Sequence, residues 1–389
     1  MINIYRTDIS FILKDIAESL DISDTQYEDA VQRYQAVGAW LGEGNSPLAV
    51  YSPVIYPQGS FLLGTVTKRW GENDEYDIDL VFELNLSKDK ISQKTLKNMV
   101  GDRIKENEVY RRMLDKEGRR CWTVIYANGA KFHLDILPAI PNEEFRAVLK
   151  NYGMPIDWAN TSIAITDTTR QNYERIDPDW PRCNPKAYAA WFHSRMIVQF
   201  DALRKNLAEA MKADIQAVPE YKIKTPLQRG VQLIKRHRDI TFEKMDDKPA
   251  TIILTTLAAL SYNNEIDLAQ AITSVVNGMS THITVQNGIS WVQNPVDPTE
   301  NFADRWQDPK FPNRQNDFYY WHKKLQKDLQ TVLACEDLDR VCELLVPMFG
   351  EKVTVPAVKR YKERVETRPK VISIAPSIIK PSNKPWGCS

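Results

Sequence analysis

Along the 389 residues the apolar positions change period, from helical to strand-like and back to helical. Near the N-terminus Ile9, Ile12, Ile16 and Leu20 recur every three or four residues. Tyr27, Ala30, Val31, Tyr34 and Val37 repeat that spacing, which predicts two helices with Ser23 or Asp24 capping the second. A polar GEGNS run at 42–46 breaks the pattern. From 76 to 84 the period falls to two, as in a half-buried strand: Asp77, Asp79 and Val81 share one face, and Ile78, Leu80 and Phe82 the other. Residues 88–113 return to helical spacing through Ile91, Leu96, Met99, Val100 and Ile104. The β-branched and aromatic run 121–127 then meets Asn128-Gly129, the favoured pair for a tight hairpin turn. On the return strand Lys131, His133 and Asp135 face one way and Phe132, Leu134 and Ile136 the other, with Pro138 expected to end it.

Residues 142–185 carry clusters of Pro, Asn, Asp and Thr and read as long loops. Beyond them the helical period dominates. The stretch 186–211 contains Tyr188, Trp191, Met196, Val198 and Leu203. In 225–241 Pro226 opens a helix with Leu227, Val231 and Ile234 inward and a basic outer face. The run 249–262 is apolar nearly all round, as in a buried helix. Stretches 266–279 and 316–345 also read as helices, separated by a Pro/Asn-rich loop at 294–306. The expected division is N-terminal helices (1–45), a mixed core (46–185), a helical lobe (186–370) and a tail (371–389) without an apolar face.

Composition narrows the class. Hydrophobic content of 43% and charged content of 26% suit a globular chain with ample core. The formal net charge is zero, so no global field attracts nucleic acid, and no stable nucleic-acid partner is expected. No stretch approaches eighteen apolar residues, which argues against a membrane span. The five scattered cysteines, without a CxxC pair, suit reduced thiols in a cytoplasm better than a disulfide framework.

Against this ordinary background one stretch stands out. Asp77 and Asp79 place two carboxylates side by side on a strand, where they repel each other without a cation. Mg²⁺ takes oxygen ligands, commonly one or two carboxylates with nucleotide phosphates. Upstream, Gly59-Ser60 offers backbone N–H groups and a hydroxyl suited to phosphate. Asp135 supplies a third carboxylate in the same presentation. A bare DxD also describes the exposed face of an edge strand; the QGS lead and the third acid favour chemistry.

The segments QGSFLLGTV, DEYDIDLVFEL, RRCW, FHLDILP, CNPKAYAAWF, TPLQRGVQLIKRHRD and NPVDPTENFADRW together resemble the cGAS/DncV-like nucleotidyltransferases of bacterial antiphage signalling, within the polymerase-β-like superfamily. The resemblance implies an α/β (α+β) fold: a palm of mixed β-sheet, an N-terminal spine helix and a helical second lobe closing a central cleft. It implies synthesis of a cyclic di- or trinucleotide from nucleoside triphosphates, ATP among them. Asp77 and Asp79 would hold two Mg²⁺ ions, with Mn²⁺ an alternative, and Asp135 would ligate the catalytic one and help deprotonate the attacking 3′-hydroxyl. Gly59 and Ser60 would bind the donor triphosphate, joined by Lys235 and Thr251 from the helical lobe. Serine is commoner than threonine at the last position. Some family members are joined through the C-terminus to other molecules by an accessory ubiquitin-transfer-like enzyme, a role open to the Trp386-Gly387 tail here.

Other residues invite weaker readings. His133 reads as a structural hydrogen-bonding residue, and Tyr76 and Tyr262 as core aromatics before base-stacking groups. Within the run 235–238, Lys235 is expected to meet phosphate and its neighbours to lie at the surface or in salt bridges. Cys335 and Cys342 have no nearby partners for a zinc site. The alternative activity is nucleotide addition to RNA or protein. A non-catalytic sensor on the same fold would be expected to lose one of the three carboxylates.

Overall fold

The computed structural model describes residues 6–68, 71, 76–126, 132–212, 214–245 and 247–367. The Asn128-Gly129 turn, Lys131 and the tail expected at 371–389 lie outside the described residues.

The first half assembles a sheet with helices beneath it. Helices α1 (Arg6–Leu20) and α2 (Asp24–Gly42) come first. Ser23 begins α2 with a reciprocal cap: its hydroxyl accepts from Gln26 N–H at 3.1 Å, and its own N–H donates to the Gln26 side chain at 2.9 Å. Strand β1 (Val54–Gln58) runs into a single turn, α3 (Gly59–Leu62), and then β2 (Tyr76–Glu83). Helices α4 (Gln93–Glu106) and α5 (Glu108–Met113) precede the β3 (Trp122–Tyr126) and β4 (Phe132–Pro141) pair. Two helices, α6 (Glu143–Asn151) and α7 (Ile156–Ala159), and two short strands, β5 (Ile163–Ile165) and β6 (Arg182–Cys183), complete this half. The sheet order is β1-β2-β4-β5-β6, with β3 also on β4. Among the described residues only the β2–β4 pairing of this sheet is parallel, so the sheet is mixed.

The second half is helical: α8 (Pro185–Ser194), α9 (Ile197–Met211), α10 (Pro226–Thr241), α11 (Thr251–Ser261) and α12 (Leu268–Gly278). Hairpins β7 (Thr284–Gln286)–β8 (Ile289–Trp291) and β9 (Gln293–Asn294)–β10 (Asp297–Asn301) follow. Helices α13 (Arg314–Leu333), α14 (Leu338–Phe349) and α15 (Glu351–Glu366) are the last elements among the described residues.

Two cores divide the work. One lies under the sheet, where Ile78, Leu80, Phe82, Leu134 and Ile136 meet α2 and α4 residues such as Val37, Leu41, Leu96 and Val100. The other joins α8, α10–α15 and also α1, whose Ile9, Ile12, Leu13, Ile16 and Leu20 are fully buried there. The N-terminal 45 residues therefore serve both halves, α1 packing on α10, α12 and α15, α2 on β1, β2 and α4.

Several local expectations need correcting. Pro138 does not end its strand; β4 continues to Pro141. On one side Pro138 falls between the last β3 partner, Ile136, and the first β5 partner, Ala139, where no ladder asks for the N–H that proline lacks. The stretch 142–185 is not all loop. Asn142 caps α6, whose Phe145 and Leu149 are buried, and β5 is too short to show a period. The stretch 316–345 is two helices, because Asp337 caps a new start at Leu338. Within 294–306 the β9–β10 pair forms a hairpin rather than a structureless loop.

Candidate active site

Register places the acids. In the parallel β2–β4 ladder Asp79 sits opposite Asp135 and Asp77 opposite His133. On the other side of β2, Asp79 sits opposite Gln58, the last residue before the Gly59-Ser60 turn. Gly59 takes a left-handed φ of 59°, and a Cβ on it would stand 2.5 Å from Asp79 Oδ2. A glycine is thus required twice over, for its backbone angle and for the closeness of the carboxylate. From β3, Thr123 faces Asp135 and donates its hydroxyl to Asp135 Oδ1 at 2.5 Å. His133 Nδ1 lies 3.7 Å from Asp77 Oδ1.

Crowding has an electrostatic consequence. Burial, with the Asp135 and Asp77 charges adding to it, pushes the Asp79 carboxyl up from 3.8 to about 7, and Lys235 opposes the rise. Lys235 is itself buried, which with the nearby Arg238 brings its ammonium down to about 8 against the pull of Asp239, Asp79 and Asp77.

Lys235 comes from α10, whose start is fixed by Pro226 and a Thr225–Gln228 capping box. Its Nζ donates to the Thr65 carbonyl at 2.9 Å. One turn on, Arg238 donates to the Pro249 carbonyl at 3.1 Å, to Thr251 Oγ1 at 2.7 Å and to its neighbour Asp239 at 2.7 Å. Lys248 reaches the same Asp239 carboxylate at 3.0 Å. Thr251 is the first residue of α11, a helix whose N-cap, Ala250, supplies no capping side chain.

The outer face of α10 is therefore not a solvated basic stripe. Lys235, Arg236, His237 and Arg238 are all buried, because the helix lies between the sheet half and the other helices and each charge finds a partner. Arg236 donates to Lys68 O at 2.9 Å, and Trp321 Nε1 donates to His237 Nδ1 at 3.0 Å, with Asp328 Oδ2 3.1 Å from the other ring nitrogen. Tyr76 and Tyr262 are buried as well, their hydroxyls donating to the Gln26 and Glu265 carbonyls.

Gly59, Ser60, Asp77, Asp79, Asp135, Lys235 and Thr251 all line one cavity of about 840 Å³ between the two halves. Sequence reasoning missed further residues on its wall: Arg238, Asp239, Lys248 and Thr65. Only the adjacent Arg238-Asp239 pair left any trace, and it reads as an ordinary surface ion pair until α10 is known to be buried. Thr123, which holds Asp135, was legible only as the strand residue paired with it.

The acid set fits a hard divalent cation in its chemistry: oxygen donors only, with burial first and then the Asp135 and Asp77 charges raising the Asp79 carboxyl. Among the described residues no three His, Cys, Asp or Glu side chains converge on an ion position as they stand. Asp135 is tied to Thr123 and Asp77 lies beside His133, so gathering all three asks for side-chain rotation.

Comparison with known proteins adds a second line. A family model described as "Cyclic GMP-AMP synthase DncV-like, nucleotidyltransferase domain" matches residues 53–138. A c-di-GMP synthase of Roseivirga ehrenbergii is 30% identical over 365 residues, 93% of this chain and 89% of the relative. The cyclic dinucleotide synthase CdnG of Bradyrhizobium diazoefficiens is 27% identical over 91% of this chain and 83% of its own length. Among solved structures, CdnG of Bradyrhizobium diazoefficiens in complex with GTP superposes with a TM-score of 0.70 at 22% identity, covering 91% of this chain and 99% of that one. DncV of Vibrio cholerae in complex with nonhydrolyzable GTP gives 0.51 at 17% identity, covering 90% and 87%. At these identities the two superpositions speak to the fold.

Proposed function

The chain belongs to the CD-NTase family, the DncV-like nucleotidyltransferases, and from that premise we propose that it makes a cyclic dinucleotide from nucleoside triphosphates, with GTP sufficient as substrate. The observation that carries the reading is the gathering of three carboxylates, a Gly-Ser turn, Lys235 and Thr251 around one cavity. A dinucleotide is preferred to a trinucleotide because both curated relatives are named for dinucleotide synthesis, and guanine to other bases because one of them is named a c-di-GMP synthase.

Gly59, Ser60 and Lys235 would hold the donor triphosphate, with Thr251 contributing its hydroxyl from the start of α11. Asp77, Asp79 and Asp135 would hold Mg²⁺ or Mn²⁺, which when bound supplies charge neutralisation at the α-phosphate and at the attacking oxygen. Asp135, oriented by Thr123, takes the proton of the acceptor 3′-hydroxyl. The 3′-oxygen forms a bond to the donor α-phosphorus, the bond from that phosphorus to the bridging oxygen breaks, and pyrophosphate leaves. A second round, in which the remaining 3′-hydroxyl attacks the 5′-triphosphate of the linear intermediate, closes the ring. Such transfer asks the protein for positioning and electrostatics more than covalent work. The antiphage role, and attachment of the C-terminal tail by an accessory ubiquitin-transfer-like enzyme, belong to the same proposal.

Incubation with labelled GTP and Mg²⁺, then phosphatase, tests it. The expected product is a phosphatase-resistant small molecule with the mass of a cyclic guanine dinucleotide. Label carried on RNA or on the protein would point to nucleotide addition instead.

A further inference from the structure

The Gly59-Ser60 turn continues into an irregular strap, residues 63–68, and α10 grips that strap by its main chain. Gln228 Nε2 donates to Leu63 O at 3.0 Å, Lys224 Nζ to Gly64 O at 2.8 Å, and Lys235 Nζ to Thr65 O at 2.9 Å. Gln232 Nε2 donates to Val66 O at 2.8 Å and Arg236 Nη2 to Lys68 O at 2.9 Å. These donors recur at intervals of three and four, so they form one stripe along α10 and the residue just before its cap. Gly64 lets the two approach, since a Cβ there would stand 2.5 Å from Gln228 Nε2.

The strap is tied to the phosphate turn as well as to the helix. Thr65 N–H donates to Ser60 O at 2.9 Å, and Lys68 N–H to Leu20 O at 3.0 Å at the end of α1. Displacing the strap therefore displaces Ser60.

We propose that Gln228, Gln232 and Arg236 are positioning residues for the Gly59-Ser60 turn: they seat the strap on α10 and so set nucleotide affinity without touching substrate. This rests on the reading of the cavity as a nucleotide site. It also gives Lys235 two tasks, because an ammonium has three donors and can hold Thr65 O and a phosphate oxygen together.

The test compares affinity for non-hydrolysable GTP with Mg²⁺, KM, kcat and melting temperature in wild type, Gln228→Glu, Arg236→Met and Arg236→Lys. Gln228→Glu keeps the oxygen that caps α10 but removes the donor to Leu63 O. Affinity is expected to fall about tenfold and KM to rise in step in Gln228→Glu and Arg236→Met, with kcat changed about twofold at most. Arg236→Lys, which keeps a donor, should recover most of the affinity. Folded variants that bind the analogue within about twofold of wild type would overturn the inference, even if their melting temperatures fall. Should the variants not fold, hydrogen exchange over residues 60–68 of the wild type decides. Slower exchange on adding the analogue supports the coupling, and unchanged exchange contradicts it. Wild type that fails to bind the analogue at all would instead refute the nucleotide reading.

Discussion

The two walls of the cavity are built on opposite electrostatic terms. On the sheet wall three carboxylates share one face, and burial, reinforced by the Asp135 and Asp77 charges, raises the Asp79 carboxyl to about 7. On the helical wall the cations are already engaged. Arg238 is shared among Pro249 O, Thr251 and Asp239, and Lys235 holds Thr65 O. One wall stores repulsion that a divalent cation would relieve, while the other spends its charge fixing its own geometry. On this account the sheet wall governs the transfer step and the helical wall governs nucleotide binding.

The sharpest break of that contrast is Asp77→Asn with Asp79→Asn. Cyclic product should fall by at least about 10³-fold, the scale on which charge-stabilising groups act in transfer reactions, while the fold survives. Next is Gly59→Ala, which forces a methyl against Asp79 Oδ2 in a left-handed backbone position. A misplacement of this kind should cost about 10²-fold in kcat/KM, with both the turn and the acid displaced. Lys235→Ala should weaken binding of the triphosphate by about tenfold, as expected for a charged hydrogen bond of 1.5–3 kcal/mol lost in part. Arg238→Ala, expected from sequence to be nearly silent, should now also weaken binding, by a smaller factor. It frees Thr251 and leaves Asp239 to Lys248 alone. Calorimetric affinities for both variants check this, and equal effects would erase the distinction between the two residues.

How much of this was readable in advance differs between the walls in the same way. The acid wall is local and periodic. Alternation over 76–84 and 131–137 put Asp77, Asp79 and Asp135 on one face, and the strand register then fixed them as neighbours. The Gly-Ser turn was legible as a pair that offers backbone N–H groups and a hydroxyl to phosphate, while its left-handed glycine emerged only with the fold. The helical wall was not legible in the same way. Periodicity announced α10, but its polar stripe of Lys224, Gln228, Gln232, Lys235 and Arg236 looks the same whether it faces water or a row of carbonyls. Only the packing of the two halves decides that. Pro138 and β5 failed for a related reason, since the strand on either side of each is supplied by tertiary pairing rather than by local pattern.

The most direct test of the account is the thermal stability of the metal-free protein and its response to Mg²⁺, in wild type and Asp77→Asn/Asp79→Asn. A carboxyl whose folded value is raised from 3.8 to about 7 binds a proton more readily folded than unfolded. Its destabilising effect is therefore absent below pH 4 and grows as the pH rises through about 7. Wild type without metal should lose stability over that window relative to the variant, and at pH 7.5 Mg²⁺ should raise the wild-type melting temperature but leave the variant unmoved. Equal pH profiles and equal responses to Mg²⁺ in the two proteins would contradict the claim that the sheet wall is a cation site.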